Sequence, residues 1–179
     1  MKSIKPNFLT DNIYEIEIVF YKHFNIKYIF ADLDNTLDSY LLKVPSTKTI
    51  ELVKKLKANN ISLVIVSNNS KKRVSKYAKI LKVSYISRAF KPFTFKIRKY
   101  MKKNHISPDE TIFIGDQLLT DIKCANYLGI KSVYSKEIVS SNAFVTRLNK
   151  KRELKYKKVL KNSKICQNRR DVYVNFKES

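Results

Sequence analysis

Two aspartates one residue apart, Asp32 and Asp34, stand at the end of an apolar approach made by Ile26, Tyr28, Ile29 and Phe30. Such a run reads as a buried strand whose carboxyl end carries both acids to the surface. In an open α/β sheet that end is where ligands bind. Carboxylates this close repel, and a hard cation such as Mg²⁺ is the simplest partner that holds them together. The competing reading is a polar strand end followed by an Asp34-Asn35 turn.

Three more polar clusters follow apolar runs: Ser67-Asn68-Asn69, Lys91-Pro92, and Gly115-Asp116-Gln117-Leu118-Leu119-Thr120-Asp121. Separately each is ordinary: Ser67 reads as a helix N-cap and Lys91 as a surface lysine. If the runs are parallel strands, all the clusters share one sheet edge and meet what phosphoryl transfer requires. Asp32 can attack phosphorus, and Asp34 can protonate the leaving oxygen and then activate water. Asp32, Asp34 and Asp116 are the candidate metal ligands, with Mg²⁺ as the cofactor. Thr36, Ser67, Asn68 and Lys91 are candidates for holding the phosphate. Gly115 and Asp121 are supporting residues, Asp121 either assisting the metal or orienting Lys91. Only two glycines occur in the chain, Gly115 and Gly129, so each is expected to serve a backbone need.

The elements that must position these residues alternate. Strands are expected up to Phe30 and over Ile61–Val66, Val83–Ile86, Thr111–Ile114 and Ile130–Tyr134. A loop over 35–45 ends at Pro45, and Ser46 or Thr47 then caps a helix reaching Asn59. Val74, Tyr77, Ala78 and Leu81 mark another helix, and residues 93–104 and 117–128 two more, Gly129 sitting where a C′ glycine belongs. Alternation of this kind predicts an α/β fold, a parallel sheet flanked by helices. Residues 1–25 form a lead-in. There Thr10 or Asp11 could cap a helix bearing Ile13, Ile16, Phe20 and Phe24, although Ile16–Phe20 also suits an extended run.

The chain has 179 residues and 44% apolar content, enough for one globular domain over 1–149 and a tail over 150–179. That tail holds eleven basic residues against three acids. No apolar run is long enough to span a bilayer, and the polar start with Pro6 and Asp11 does not read as a signal peptide. Cys124 and Cys166 lack metal-ligand spacing and suit a reducing cytoplasm. A net charge of +22 implies attraction to polyanions, or a uniform lysine surface set by a skewed composition rich in Lys, Asn and Ile.

The motif order Asp32-Leu33-Asp34-Asn35-Thr36-Leu37, Ser67-Asn68-Asn69, Lys91-Pro92, Gly115-Asp116…Thr120-Asp121 resembles the four motifs of the haloacid dehalogenase (HAD) superfamily. Residues 25–150 further resemble subfamily IIIA, YqeG-type proteins, including Phe144-Val145-Thr146-Arg147-Leu148-Asn149. The lead-in matches loosely and the tail poorly. The resemblance implies a Rossmann-like core and Mg²⁺-dependent phosphatase chemistry through an aspartyl phosphate. It places the nucleophile on Asp32, the acid/base on Asp34, the phosphate-binding hydroxyl on Ser67, the lysine on Lys91 and the metal-binding acid on Asp116. An acid at position 34 favours hydrolysis over a long-lived phosphoenzyme.

The intervals Asp34–Ser67 and Ser67–Lys91 leave no room for a cap domain. An open site suits a large substrate: a lipid headgroup, a protein or a nucleic-acid end. The resemblance extends to phosphatidylglycerophosphate phosphatases, which implies that lipid as substrate; the charge of +22 independently suits peripheral attachment to the inner face of an anionic membrane. The alternative is an RNA- or ribosome-associated protein dominated by its basic surface and tail, where Tyr156, Tyr173 and Phe176 interleave with cations. Small soluble phosphate esters are a third possibility.

Overall fold

The structure, a computed structural model, describes residues 4–138. Six strands form one parallel sheet: β1 (Phe8–Thr10), β2 (Tyr28–Ala31), β3 (Ser62–Val66), β4 (Ser84–Ile86), β5 (Thr111–Gly115) and β6 (Lys131–Ser135). Their order across the sheet is β1-β6-β5-β2-β3-β4. Helices α1 (Ile18–His23), α2 (Thr47–Ala58), α3 (Lys71–Leu81), α4 (Phe95–Lys103) and α5 (Lys123–Leu128) cover it.

Both faces of the central strands are buried, so β2 is apolar at every position rather than alternating. Ile29 and Ala31 face one layer, which packs Phe20 and Tyr21 of α1, Leu52 and Leu56 of α2, and Val74 and Tyr77 of α3. Phe30 faces the other, with Ile97 and Met101 of α4 and Cys124 and Leu128 of α5. The sheet therefore sits between two helical layers, as expected for the Rossmann-like class.

Register does the positioning. Ala31 pairs with Ile65 on one side and Ile114 on the other. The residues that follow each of these stand level at the carboxyl edge: Val66 and Gly115 are the last residues of β3 and β5, and Asp32 lies just past β2, its amide still donating to the Ile114 carbonyl at 3.0 Å.

Helix boundaries follow their caps. Ser46, rather than Thr47, caps α2 by accepting from the Thr49 amide, and Ser70 caps α3 through the Arg73 amide. Gly129, at φ +72°, closes α5 in the left-handed conformation that glycine adopts without strain. The expected helix over 117–128 is two pieces: a wide π turn over Leu118–Ile122 leads into α5.

The lead-in differs from the continuous helix foreseen there. Phe8–Thr10 is an edge strand whose Phe8 and Thr10 pair with Val133 and Ser135. Asn12, not Thr10 or Asp11, caps a short 3-10 turn over Ile13–Glu15, and α1 starts only at Ile18. Ile13, Ile16 and Phe20 are all buried, so the apolar stripe is real but divided between two short turns. The Phe144–Asn149 motif, the boundary at 149/150 and the basic tail lie outside the described residues. Among the described residues no helix is long and apolar enough to cross a membrane.

Candidate active site

Asp32, Asp116 and Asp121 converge at the carboxyl edge of the sheet. Each offers a carboxylate oxygen, and these oxygens all lie within 4.8 Å of one another. Asp32 leaves β2 and Asp116 leaves the neighbouring β5, so the parallel register brings them together. Asp121 comes from the π turn and folds back over Gly115. A Cβ on Gly115 would stand 2.4 Å from Asp121 Cβ. The need met by Gly115 is thus space for Asp121 rather than an unusual dihedral.

Lys91 is the cation of this cluster. It is buried, with Nζ 2.5 Å from Asp32 Oδ1, 2.6 Å from Asp121 Oδ1 and 2.7 Å from the Val66 carbonyl. Burial opposes its charge, but Asp121 and Asp32 outweigh burial and raise Lys91 above the ordinary lysine value. Three acids against one ammonium leave a negative excess in a desolvated place. Burial, with the neighbouring acids adding to it against Lys91, pushes Asp32 up to about 7. Asp116 is raised well above the ordinary carboxylate value, first by burial, then by Asp121 and Asp32. An all-oxygen, overcharged set of this kind fits a hard divalent cation, which would relieve the repulsion.

The other expected residues divide. Ser67 is buried one residue past β3; its hydroxyl oxygen accepts from the Asn69 amide at 3.1 Å, a bond that does not use its O–H donor. Thr36, expected to hold phosphate, donates instead to Asp116 Oδ1 at 3.2 Å and orients that acid. Asn68, also expected on the phosphate, clamps the Lys91 backbone. It accepts from the Lys91 amide at 2.7 Å and donates to the Lys91 carbonyl at 3.1 Å.

Asp34, expected among the metal ligands, reaches the same edge, and its carboxylate lies outside the three-acid set. The reason is Arg73. That guanidinium forms an ion pair with Asp34 Oδ1, its Nε at 3.0 Å, while Asn69 Nδ2 donates to Oδ2 at 3.1 Å. Arg73 also donates to the carbonyls of Tyr40 and Leu42, at 3.0 and 3.1 Å, and so ties the 35–45 loop to the site. Sequence reasoning missed Arg73 because Lys71-Lys72-Arg73 is one basic run among many. The usable signal was its place, in the first turn of the helix after the Ser67 strand.

The base of that loop is fixed by Asp38, a buried acid outside the cluster. Asp38 Oδ2 accepts from the Ser46 amide at 3.0 Å, from Thr49 Oγ1 at 2.7 Å and from the Tyr77 hydroxyl. Between Asp34 and Ser67 the chain spends its length on this loop, α2 and β3; between Ser67 and Lys91, on α3 and β4. No cap domain is present among the described residues, as expected.

A parallel sheet with an aspartate at the tip of its central strand, opposed by a buried lysine and further acids, defines a HAD-type hydrolase. Residues 7–135 match the family model of haloacid dehalogenase-like hydrolases, and the chain belongs to that family. It is 31% identical over 160 residues to "Probable phosphatase YqeG" of Bacillus subtilis, covering 89% of this chain and 93% of that protein. With the family, the expected enzyme class holds: a HAD-type phosphatase. In fold, the chain is similar to the 3-deoxy-D-manno-octulosonate 8-phosphate phosphatase of Yersinia pestis, at TM-score 0.53 and 14% identity, covering 72% of this chain and 83% of that one. It is equally similar to a hypothetical protein of Xanthomonas campestris, at TM-score 0.53 and 14% identity, covering 68% and 71% of the two chains.

Proposed function

We propose that the protein is a Mg²⁺-dependent phosphomonoester hydrolase that acts through an aspartyl phosphate on Asp32, with phosphatidylglycerophosphate as its substrate. The observation that carries this reading is the buried set of Asp32, Asp116 and Asp121 with Lys91, at a sheet edge where the described residues include no cap domain. Asp32 and Asp116, assisted by Asp121, would hold Mg²⁺, which when bound offsets negative charge so that a phosphate dianion can approach a carboxylate.

The chain's own groups perform the rest. One Asp32 oxygen attacks phosphorus as the ester P–O bond breaks, and the leaving oxygen takes a proton from Asp34. Asp34 then takes a proton from water, whose oxygen attacks phosphorus and releases Asp32 with inorganic phosphate. Lys91 and the hydroxyl of Ser67 neutralise and hold the transferred group. Arg73 keeps Asp34 at the mouth between turnovers and must yield it as a proton donor when substrate arrives. Asn68 and Thr36 act one step back, by fixing Lys91 and Asp116.

The short segments between Asp34, Ser67 and Lys91, a loop with α2 and β3 and then α3 with β4, support a substrate presented at a surface rather than swallowed. The RNA-associated alternative rests on net charge and on residues 150–179, outside the described residues. The test is phosphate release with Mg²⁺ from phosphatidylglycerophosphate in vesicles, beside sugar phosphates and 5′-phosphorylated RNA. Release from the lipid at the highest kcat/KM is expected. Equal or faster release from a sugar phosphate or the RNA would reject the lipid assignment.

A further inference from the structure

Two apolar segments border the mouth of the site and lie uncovered by the described residues. Leu41, Leu42 and Val44 are exposed on the loop that Arg73 binds, Leu41 at 65%. Phe90 and Phe93 are exposed on the loop that carries Lys91, and Phe95 at the start of α4, Phe93 at 67%. Single exposed apolar side chains are normal, whereas six on two short segments around one opening form a patch. Phe90 and Phe95 stack on each other at 6.1 Å between centroids instead of entering the core.

Charge narrows the partner. Lys43 and Arg88 sit on these loops, Lys96 in the first turn of α4, and Lys71 and Lys72 at the start of α3. Residues 39–45, 67–73 and 87–96 contain no acid at all. An apolar patch ringed by cations complements an anionic bilayer: aliphatic and aromatic groups enter the acyl boundary while ammonium groups meet headgroup phosphates. RNA would use the rings and the cations but give Leu41, Leu42 and Val44 nothing to pack on.

We infer that the two loops form a membrane-docking surface that seats the open site against an anionic lipid bilayer. This rests on the lipid-phosphate reading above, but it is testable without turnover. The chain contains no tryptophan, so Phe93→Trp supplies a single reporter at the patch. Ile80→Trp, also at an exposed site but near the other end of α3, is the control.

Each full-length variant is mixed with phosphatidylcholine/phosphatidylglycerol vesicles carrying brominated acyl chains. Quenching and a blue shift are expected for Phe93→Trp and not for Ile80→Trp. The double variant Leu41→Ser/Phe93→Ser should lower the vesicle-bound fraction about tenfold, with p-nitrophenyl phosphate hydrolysis unchanged. Vesicle binding that leaves the Phe93→Trp indole unquenched would overturn the inference. So would wild-type vesicle binding by the double variant, or a blue shift that needs RNA or high protein concentration rather than lipid. Docking without turnover of phosphatidylglycerophosphate rejects the proposed substrate and leaves the surface standing; turnover in detergent micelles without docking on vesicles does the reverse.

Discussion

Arg73 grips Asp34: two guanidinium nitrogens converge on the Asp34 Oδ1 oxygen, and the same side chain holds the Tyr40 and Leu42 carbonyls. One residue thus sets both the proposed acid/base and the loop over it. Arg73→Ala is expected to lower kcat on p-nitrophenyl phosphate about 10- to 100-fold, below the full worth of a general acid, because Asp34 itself remains. Arg73→Lys should recover part of that loss by keeping a cation near Asp34. Steady-state kinetics decide: unchanged kcat in Arg73→Ala would make the pair irrelevant to turnover.

Gly115 and Asp121 are too close for any larger residue. Gly115→Ala would place its methyl group against Asp121, 2.4 Å from both Cβ and Cγ. Overpacking of this kind costs about 1–3 kcal/mol. It should also push Asp121 off Lys91. A lowered melting temperature together with weaker Mg²⁺ binding by calorimetry is expected. A neutral effect on both would contradict the packing described.

The excess of acids has a pH signature. Asp32 is raised to about 7 and Asp116 also upward, so the folded state holds protons that the unfolded chain has already released. Stability of the metal-free protein should therefore be greatest near the ordinary carboxylate range and fall as pH rises toward about 7. Added Mg²⁺ should restore it at neutral pH, since it binds the ionised folded cluster alone. Thermal melts with EDTA and with Mg²⁺, near pH 5 and pH 7.5, test this. No Mg²⁺-dependent gain at the higher pH would argue against a cation among these acids.

Tyr77→Phe probes the base of the loop. It removes one of three donors to buried Asp38 and should cost about 1.5–3 kcal/mol, the usual worth of a hydrogen bond to a charged group. Urea unfolding measures it. A change below about 0.5 kcal/mol would mean that solvent replaces the lost donor.

Much of this was legible because parallel strands obey a simple rule. Apolar runs ending in Asp32, Ser67 and Asp116 must end on one edge, and that alone brings the acids together. Partners were less legible than positions. Asn68 and Thr36 have the chemistry of phosphate ligands, yet the fold turns them on Lys91 and Asp116. Which oxygen a short polar side chain meets depends on loop geometry that spacing does not encode. Arg73 was hidden by composition, since a chain with 37 Lys and Arg makes no single cation conspicuous. Strand β1 was hidden by size: three residues are too few for a period, and its stability comes from pairing with β6, far along the chain.

The most direct measurement is acid-quenched labelling with a ³²P-phosphomonoester in the presence of Mg²⁺. Wild-type protein should carry a transient, hydroxylamine-labile label, and Asp34→Ala should accumulate it because water activation is slowed. Asp32→Asn should carry none and should lose turnover by a factor on the order of 10³ or more. Label retained on Asp32→Asn, or turnover there at the wild-type rate, would contradict the assignment of Asp32 as the nucleophile.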